Sequence, residues 1–430
     1  MRPPRAVLAA LAAVSLVTTS IVADAHPLPS PDVGSGSSAP ALAPRATERD
    51  PGGAAPGGAA PRWARRLDEI VAGHPMSVVV GVDGDPWYRH RPGVRRPPAS
   101  NEKLLLTMAL LARLGTGRTI PTRAMADAVP RDGIVRGPMW LVGRGDPEVG
   151  RADLRALSAE LAADGLTEVR GRILGATTPF VRDWFARGWK SYFPSVYVAR
   201  PTALTYDGNR GSGGGHLSDP ERRAAVIFRR TLRRAGIAVG GDAGTKAAPA
   251  GLRTLAITRS APLIDIVTRM NHVSSNFRAE VLGKHLALDR SGVGSIPGTG
   301  RTIRTFAGAR GERVAAFDGS GLSYDNRVTA SALTRLLWWA EDRAWGTAMM
   351  DTLPSGGEGT LAGRLEDVTV LAKTGTLIEV SALSGWVWLE REARWAAFSI
   401  LSQGMSTSTS KRLEDRIVGA VALRATAPTP

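Results

Sequence analysis

The chain has no cysteine among its 430 residues. This absence excludes a disulfide framework, and it also excludes a lipid-modified N-terminal cysteine as a membrane anchor. The fold must therefore be held together by its hydrophobic cores alone. With 43% hydrophobic residues, a chain of this length can fill more than one core.

Long apolar runs are also scarce, and the one at the N-terminus has the layout of a secretory signal peptide. Arg2 and Arg5 form a basic segment, Ala6–Val22 is apolar, and Ala23-Asp24-Ala25 provides a small-residue cleavage site. No later run reaches the roughly 18 apolar residues that span a bilayer. Residues 1–25 are therefore predicted to be a cleaved signal peptide, and the mature protein is predicted to be exported, soluble and extracytoplasmic. An uncleaved membrane anchor is the alternative.

Histidine is rare as well, and neither metal nor nucleic-acid motifs are present. The six histidines show no His-Glu-x-x-His or other ligand spacing, so no metal and no cofactor are predicted. The formal net charge is +16, but the basic residues are scattered and no RNA- or DNA-binding pattern accompanies them. We expect no nucleic-acid partner. The charge suits weak binding to anionic wall polymers or lipid head groups, or only a solvated surface that resists aggregation.

Composition and hydrophobic spacing divide the chain into segments. Proline, glycine, alanine and serine dominate residues 26–62, which are predicted to be a disordered linker. Helical spacing begins near Trp63, strands and glycine-bearing turns follow, and helices then return before a final group of strands. This order predicts an α+β domain interrupted by a second, β-rich domain. The predicted boundaries are 63–120 and 262–425 for the two parts of the main domain, 121–261 for the insertion and 426–430 for a tail.

Three short polar motifs follow one another in a fixed order and together indicate serine acyl transfer with lysine as the base. They are Ser100-Asn101-Glu102-Lys103, Ser274-Ser275-Asn276 and Lys373-Thr374-Gly375. When a serine opens a helix, a lysine three residues later shares its face, so Ser100 is the predicted nucleophile and Lys103 the general base. Lys103 must lose most of its proton near neutral pH, and burial together with a neighbouring cation, Lys373, can lower its pKa.

The remaining motif residues have predicted roles around the nucleophile. Ser274 is expected to relay a proton to the leaving amine, and Asn276 to hold Lys103 and the substrate amide. Gly375 leaves room for a substrate backbone along the strand edge, and the hydroxyls of Thr374 and Thr376 are available to a carboxylate. The backbone N–H groups of Thr376 and Ser100 are predicted to form the oxyanion hole.

The specificity of these motifs is unequal. Lysine is scarce, with six residues against 49 arginines, and arginine cannot act as a base at physiological pH, so Lys-Thr-Gly carries weight. A second Ser-x-x-Lys, Ser408–Lys411, opens a predicted final helix with no motif after it. There, Ser408 or Ser410 is interpreted as a helix N-cap. The alternative for Ser274–Asn276 is likewise a cap on the helix that follows.

With these motifs, the chain resembles the D-alanyl-D-alanine carboxypeptidase/DD-endopeptidase family of penicillin-binding proteins, class C low-molecular-mass type. Further similar segments are Pro98–Leu104, Gly143–Pro147, Asp318–Ser323, Leu353–Leu377 and Ser381–Val387. The resemblance implies a β-lactamase-like transpeptidase domain of α+β type with an inserted domain. It also implies a penicillin-sensitive serine DD-peptidase that acts on peptidoglycan stem peptides and is inhibited covalently by β-lactams. Carboxypeptidase and endopeptidase action both stay open.

Two other functions remain as alternatives to the peptidase. A β-lactamase needs a base for rapid deacylation, and no Glu-x-x-Leu-Asn segment lies between Asn276 and Lys373. A catalytically silent wall-binding module would keep the pocket without the activity. The aromatic residues of the insertion are expected to pack in its core, with a cleft wall as the second possibility. They are Trp184, Phe185, Trp189, Tyr192, Phe193 and Tyr197.

Overall fold

The computed structural model describes residues 61–423. The helices are α1 (Arg62–Val71), α2 (Glu102–Leu114), α3 (Arg151–Ala163), α4 (Phe193–Val196), α5 (Pro220–Arg234), α6 (Leu263–His272), α7 (Asn276–Ser291), α8 (Ile296–Gly308), α9 (Ala330–Glu341), α10 (Gly346–Met350) and α11 (Thr407–Ala422). The strands are β1 (Met76–Val82), β2 (Asp85–His90), β3 (Pro121–Ala126), β4 (Ile134–Val135), β5 (Met139–Val142), β6 (Glu168–Val169), β7 (Ile173–Ala176), β8 (Ala238–Val239), β9 (Gly244–Lys246), β10 (Arg253–Arg259), β11 (Val370–Leu377), β12 (Val380–Leu389) and β13 (Arg394–Gln403).

The predicted signal peptide, nearly all of the predicted linker and the predicted tail lie outside the described residues. Within them, no helix is both long enough and apolar enough to cross a bilayer.

The main sheet joins strands from the two ends of the described chain. Its order is β11-β12-β13-β1-β2, and all neighbours are antiparallel. Side chains alternate between its faces, as in any strand. Val78 and Val80 therefore pack under α1 and α11, whereas Val79 packs into a larger cluster with α2, α6 and α9. Helices on both faces explain why β12 and β13 are buried along almost their whole length.

Strand β11 lies at the edge of this sheet, with β12 as its only neighbour in the sheet order among the described strands. On its other side, Ser355 pairs with Leu371 and the N–H of Ala372 donates to the Pro354 carbonyl, so the part of the edge that can accept an extended peptide as a further strand begins at Lys373. The Lys-Thr-Gly motif lies on this strand. The edge position therefore gives the motif direct access to a substrate.

Residues between α2 and α6 build a second sheet with its own core. The order is β10-β3-β5-β7-β9, where β5, β7 and β9 run parallel and β3 is antiparallel to both of its neighbours. Helices α3 and α5 supply the crossovers and pack on the sheet. Three two-residue strands from the same part of the chain form a small parallel sheet with the order β4-β6-β8. The predicted helices near 151–164 and 219–235 correspond to α3 and α5.

Helix α2 positions the nucleophile because it is buried all round. Residues Leu104–Leu111 have relative exposures of 3% or less. Ser100 lies in the 3-10 turn Ala99–Asn101, immediately before this helix. A buried helix cannot shift without disturbing the core, so the first turn of α2 and the side chains on it are held firmly.

Candidate active site

The three sequence motifs converge on one cleft of about 630 Å³. Five predicted residues line it: Ser100, Ser274, Asn276, Thr374 and Thr376. Lys103 and Lys373 are fully buried and contact these lining residues through hydrogen bonds. The structure therefore brings together residues that are separated by up to 276 positions in the chain, from Ser100 to Thr376.

Lys103 makes three hydrogen bonds that fix its ammonium group next to the nucleophile. Its Nζ donates to Ser100 Oγ at 3.0 Å, to Asn276 Oδ1 at 2.9 Å and to the Ser320 carbonyl at 2.6 Å. Three donors on an ammonium match three acceptors, so the lysine is satisfied although it is fully buried. The contact between Lys103 and Asn276 has the geometry that the sequence predicts.

Burial lowers the pKa of Lys103 from 10.5 to about 8, whereas the carboxyl groups of Asp318, Glu280 and Glu102 act in the opposite direction. The expectation that Lys373 also lowers the pKa of Lys103 is wrong. The effect between the two lysines falls on Lys373 instead, whose pKa is lowered well below its usual value, first by burial and then by the charge of Lys103.

Lys373 connects the strand edge to the second motif. Its Nζ donates to Ser274 Oγ at 2.9 Å and to the carbonyl of Thr374 at 3.0 Å. Ser274 has a φ of 53°, a left-handed conformation that is costly for a serine, so the backbone is strained at this point. This left-handed residue follows the end of α6, and its side chain lines the cleft. The next residue, Ser275, is the N-cap of α7, where its Oγ accepts from the N–H of Arg278.

Gly375 packs directly against the turn that carries the nucleophile. A Cβ atom at this position would lie 2.8 Å from the carbonyl oxygen of Pro98 and 3.0 Å from the N–H nitrogen of Ser100. Any side chain here would push the strand edge away from Ser100. Asn101 ties the same elements together: in the orientation that satisfies both amide atoms, it donates to the Lys373 carbonyl at 2.7 Å and accepts from Ser384 Oγ at 2.8 Å.

A buried acidic network behind Lys103 was not predicted from the sequence. Glu280 Oε1 accepts from the N–H groups of Gly319 and Ser320, at 3.0 and 2.8 Å. The carboxylate of Asp318 accepts from the N–H groups of Gly321 and Ser323. The network fixes the turn whose Ser320 carbonyl holds Lys103.

The glycine and serine residues of the segment 318–323 are typical of a turn, so the turn itself could be predicted from the sequence. Nothing local marks Glu280, which is one of several charged residues of α7. It becomes recognisable only when the turn packs against that helix.

The aromatic residues of the segment 184–197 divide into buried and exposed ones, and Phe185, for which core packing is also expected, is 50% exposed. Trp189 and Phe193 are buried, with exposures of 5% and 2%, as the core-packing interpretation expects. Tyr192 and Tyr197 are 43% and 49% exposed and line the cleft, so core packing is the wrong interpretation for them. The Tyr197 carbonyl also accepts from Asn276 Nδ2 at 3.3 Å. The segment Tyr192–Tyr197 therefore supplies one wall of the cleft and contacts the amide of Asn276.

The second Ser-x-x-Lys motif also differs from its interpretation. The N-cap of α11 is Ser406, whose Oγ accepts from the N–H of Thr409 at 3.2 Å, and neither Ser408 nor Ser410 has this role. Lys411 lies one turn into the helix and lines the same cleft as Ser100.

Within residues 61–423, no group of three or more histidine, aspartate or glutamate side chains is arranged to hold a metal ion.

Comparison with known proteins identifies the family. The model of the D-Ala-D-Ala carboxypeptidase 3 (S13) family matches residues 65–213 and 215–423. Since these residues make up most of the chain, the chain belongs to this family of serine D-Ala-D-Ala peptidases. The predictions of the family and of a serine peptidase are thereby confirmed.

Individual relatives agree with this assignment. A D-alanyl-D-alanine carboxypeptidase of Actinomadura sp. is 29% identical, with 82% of this chain and 81% of that protein covered. A carboxypeptidase of Mycobacterium tuberculosis is 30% identical, with 75% of this chain and 74% of that protein covered.

The crystal structure of penicillin binding protein 4 from Haemophilus influenzae superimposes with a TM-score of 0.74 at 19% identity. It covers 83% of this chain and 99% of that chain. This likeness confirms the predicted α+β fold of the penicillin-binding-protein type.

Proposed function

We propose that the protein is a penicillin-sensitive serine DD-peptidase that cleaves the amide bond following a D-alanine in peptidoglycan stem peptides. One observation supports this most directly. The Nζ of Lys103 lies 3.0 Å from Ser100 Oγ, and burial brings the pKa of this lysine down to about 8. A general base is most effective when its pKa lies near the working pH and its atom is within hydrogen-bond reach.

In the proposed acylation step, Ser100 Oγ attacks the carbonyl carbon of the D-alanine and Lys103 Nζ takes the hydroxyl proton. The N–H groups of Ser100 and Thr376 receive the negative charge on the carbonyl oxygen, which is worth about a hundred- to thousandfold in rate. Asn276 holds Lys103 in place and is close enough to bind the substrate amide. The C–N bond then breaks and leaves an ester on Ser100.

The leaving amine needs a proton as that bond breaks. In the proposal Ser274 relays to it the proton that Lys103 took from Ser100, because the Ser274 hydroxyl faces the cleft and Lys373 holds it at 2.9 Å. Hydrolysis of the ester by water then restores Ser100. No aspartate or glutamate is found among the residues that line the cleft in the described part of the chain. This composition argues against a β-lactamase, which needs a base close to the deacylating water, and supports long-lived β-lactam adducts.

The peptide substrate is expected to lie along the edge of β11, where Gly375 allows close approach and Thr374 and Thr376 offer hydroxyls. We propose that the segment 121–261 is the inserted domain, since it has its own sheet and core. Carboxypeptidase and endopeptidase action both fit this cleft. Action on peptidoglycan would take place outside the cytoplasm, in agreement with the predicted signal peptide, and weak binding to anionic wall polymers stays part of the proposal.

The test is an intact-mass spectrum of the protein after incubation with benzylpenicillin, with the adduct mapped by peptide digestion. A one-to-one adduct on Ser100 is expected, and Ser100→Ala should lose both the adduct and D-alanine release from a D-Ala-D-Ala peptide. Ser408→Ala, in the second Ser-x-x-Lys motif, is the matched control and should keep both. An adduct that persists in Ser100→Ala would refute the assignment of the nucleophile. Rapid turnover of a chromogenic cephalosporin would favour the β-lactamase instead.

A further inference from the structure

The segment Gly143–Pro147 is one of those that resemble the family, but it has no part in the mechanism above. Among the residues that the structure describes, none of this segment lines the cleft. The next residue, Glu148, is nevertheless connected to the site through ion pairs with Arg269 and Arg278. These two arginines lie in the chain on either side of the Ser274–Asn276 motif.

The carboxylate of Glu148 joins helices α6 and α7. Its Oε1 accepts from Arg269 Nε at 2.7 Å and from Arg278 Nε at 2.9 Å, and its Oε2 accepts from Arg269 Nη2. Arg269 lies in the last turn of α6, and Arg278 lies in the first turn of α7. The turn that carries Ser274 and Asn276 lies between them, so this bridge holds together the two helix ends from which the turn is suspended.

The turn that precedes Glu148 fixes the position of its carboxylate. The N–H of Glu148 donates to Asp146 Oδ1 at 2.9 Å, and Asp146 is only 3% exposed. The carbonyl of Arg144 accepts from His285 Nδ1 at 2.7 Å, which joins the same turn to α7. At Gly145, where φ is +93°, a Cβ would lie 2.5 Å from a buried aromatic ring. A residue that orients others needs such a fixed base.

The carboxyl group of Glu148 stays ionised in this environment. Burial acts to raise its pKa, but the hydrogen bonds and charges of Arg269 and Arg278 outweigh burial and hold the pKa below its usual value. Hydrogen bonds between a carboxylate and a guanidinium group are charge-assisted and stronger than neutral ones. Glutamine at this position has no charge and one acceptor oxygen instead of two, so it cannot hold both arginines in the same way.

The Ser274–Asn276 motif needs support because its backbone is strained. Ser274 has a φ of 53°, and such a conformation persists only when the surrounding structure holds it. The N–H groups of Ser274 and Ser275 donate to the carbonyls of Asn271 and Met270, at 3.3 and 2.9 Å. These two bonds attach the motif to α6 alone. The bridge through Glu148 adds the attachment of α6 to α7.

On the basis of the proposed function, we propose that Glu148 is a positioning residue for the acylation of Ser100. It acts through Arg269 and Arg278, which hold the motif between them in the conformation that the reaction requires. The segment Gly143–Pro147 thereby acquires a role, since it carries the carboxylate to this place.

The bridge acts on two hydrogen bonds of the site. Ser274 Oγ accepts from Lys373 Nζ at 2.9 Å. Asn276 Oδ1 accepts from Lys103 Nζ, also at 2.9 Å. Both acceptors lie on the turn that the bridge holds, so loss of the bridge should displace both. A misplacement of about 1 Å costs a reaction about 100-fold in rate, and substrate binding depends less on these two contacts.

The experiment measures the second-order rate of acylation by benzylpenicillin and, in a Ser100→Ala background, the affinity for a D-Ala-D-Ala peptide by titration calorimetry. Glu148→Gln should slow acylation about 10- to 100-fold and change the affinity by less than about threefold. Arg278→Gln should slow acylation too. The two losses should not add in the double variant, because both substitutions break the same bridge.

Glu312 offers a matched control. It accepts from Arg335 Nε at 2.5 Å and from Arg335 Nη2 at 2.8 Å, and its side chain is 7% exposed. Neither residue is among those that line the cleft in the described part of the chain. Glu312→Gln should destabilise the protein in urea and leave acylation unchanged. The proposal is overturned if Glu148→Gln acylates at the unaltered rate, or if both variants slow acylation equally, because that result indicates general destabilisation.

Amide hydrogen exchange followed by mass spectrometry tests the bridge independently of the reaction. Glu148→Gln should speed exchange in the segment 272–278, because a less firmly held segment opens more often, whereas Glu312→Gln should not. An unaltered protein that forms no adduct refutes the proposed function, and the exchange measurement then still decides whether Glu148 holds the motif. Unchanged exchange in this segment overturns the proposal.

Discussion

The rate at which a β-lactam acylates Ser100 should depend on pH through Lys103. Only the neutral amine can accept the hydroxyl proton, and burial lowers the pKa of this lysine from 10.5 to about 8. Raising the pH from 6 towards 8 increases the neutral fraction about tenfold per pH unit, and above the pKa the fraction saturates. The second-order acylation rate should therefore rise tenfold per unit at low pH and level off above about pH 8.

The neutral fraction of Lys103 at a given pH follows from the shift in its pKa. At pH 7 a lysine of pKa about 8 is roughly 9% neutral, whereas an unperturbed lysine is about 0.03% neutral, which is a difference of about 300-fold. The carboxyl group of Glu280 raises the pKa of Lys103. Burial and the charge of Asp318 raise the pKa of Glu280 itself to about 8, so this carboxyl group is charged in part of the molecules near the midpoint of the profile. Glu280→Gln keeps the shape of that side chain but removes this partial charge, so the midpoint of the profile should move to lower pH.

The assay is stopped-flow or quenched mass spectrometry with benzylpenicillin between pH 6 and 9.5, with circular dichroism at each pH to verify folding. Lys103→Arg stays cationic over this range. It should lose about two to four orders of magnitude in rate together with the pH dependence. A flat profile in the unaltered protein, or a midpoint near 10.5, would refute Lys103 as the base. A midpoint that moves upward in Glu280→Gln would refute the account of the acidic network.

Two further substitutions test the packing around the site. At Gly321, with φ of +83°, a Cβ would lie 1.9 Å from the Ala99 carbonyl oxygen, so Gly321→Ala should destabilise the protein and slow acylation. Gly292→Ala also has a positive φ but meets nothing within 4 Å; it should cost only about 1–2 kcal/mol and leave acylation unchanged, and equal effects in urea unfolding would contradict this account. Arg364→Ala leaves the carboxylate of Glu414 buried without its ion-pair partner, with only the Ser381 hydroxyl still donating to it, so the free energy of unfolding should fall by about 3–5 kcal/mol. A decrease in the free energy of unfolding of less than about 1 kcal/mol in the same urea titration would show that this ion pair does not stabilise the protein.

The sequence predicts those features that depend on short spacing. Ser100 and Lys103 are one helical turn apart, and the segment that carries them is apolar enough to be recognised as a buried helix. The final group of strands, β11, β12 and β13, is likewise evident from its apolar residues, and Lys373 lies within β11. The order of the three motifs then predicts that distant segments of the chain meet at one site, which the spacing within a single motif cannot predict.

Features that depend on contacts between distant segments could not be predicted in this way. Helix α8 contains glycine, proline and threonine, which are poor helix formers. It is supported by the Ser295 cap and by close packing of Gly300 against the Ala316 carbonyl. Lys411 looks like part of an unrelated cap in the sequence, and it lines the cleft only because α11 packs against β12. In both cases the deciding partner is remote in sequence, and a local pattern contains no trace of it.

The comparison of the two buried lysines explains why the base needs acidic neighbours. Lys103 and Lys373 are both fully buried, so both lose the hydration that favours an ammonium ion. Lys373 has only another cation to influence it, and its pKa is lowered well below the usual value. Lys103 faces Asp318, Glu280 and Glu102, whose carboxyl groups oppose the effect of burial and leave its pKa at about 8. A base that never binds a proton cannot pass one on, so we infer that the acidic network keeps Lys103 close to the pH at which it can both take and release the serine proton.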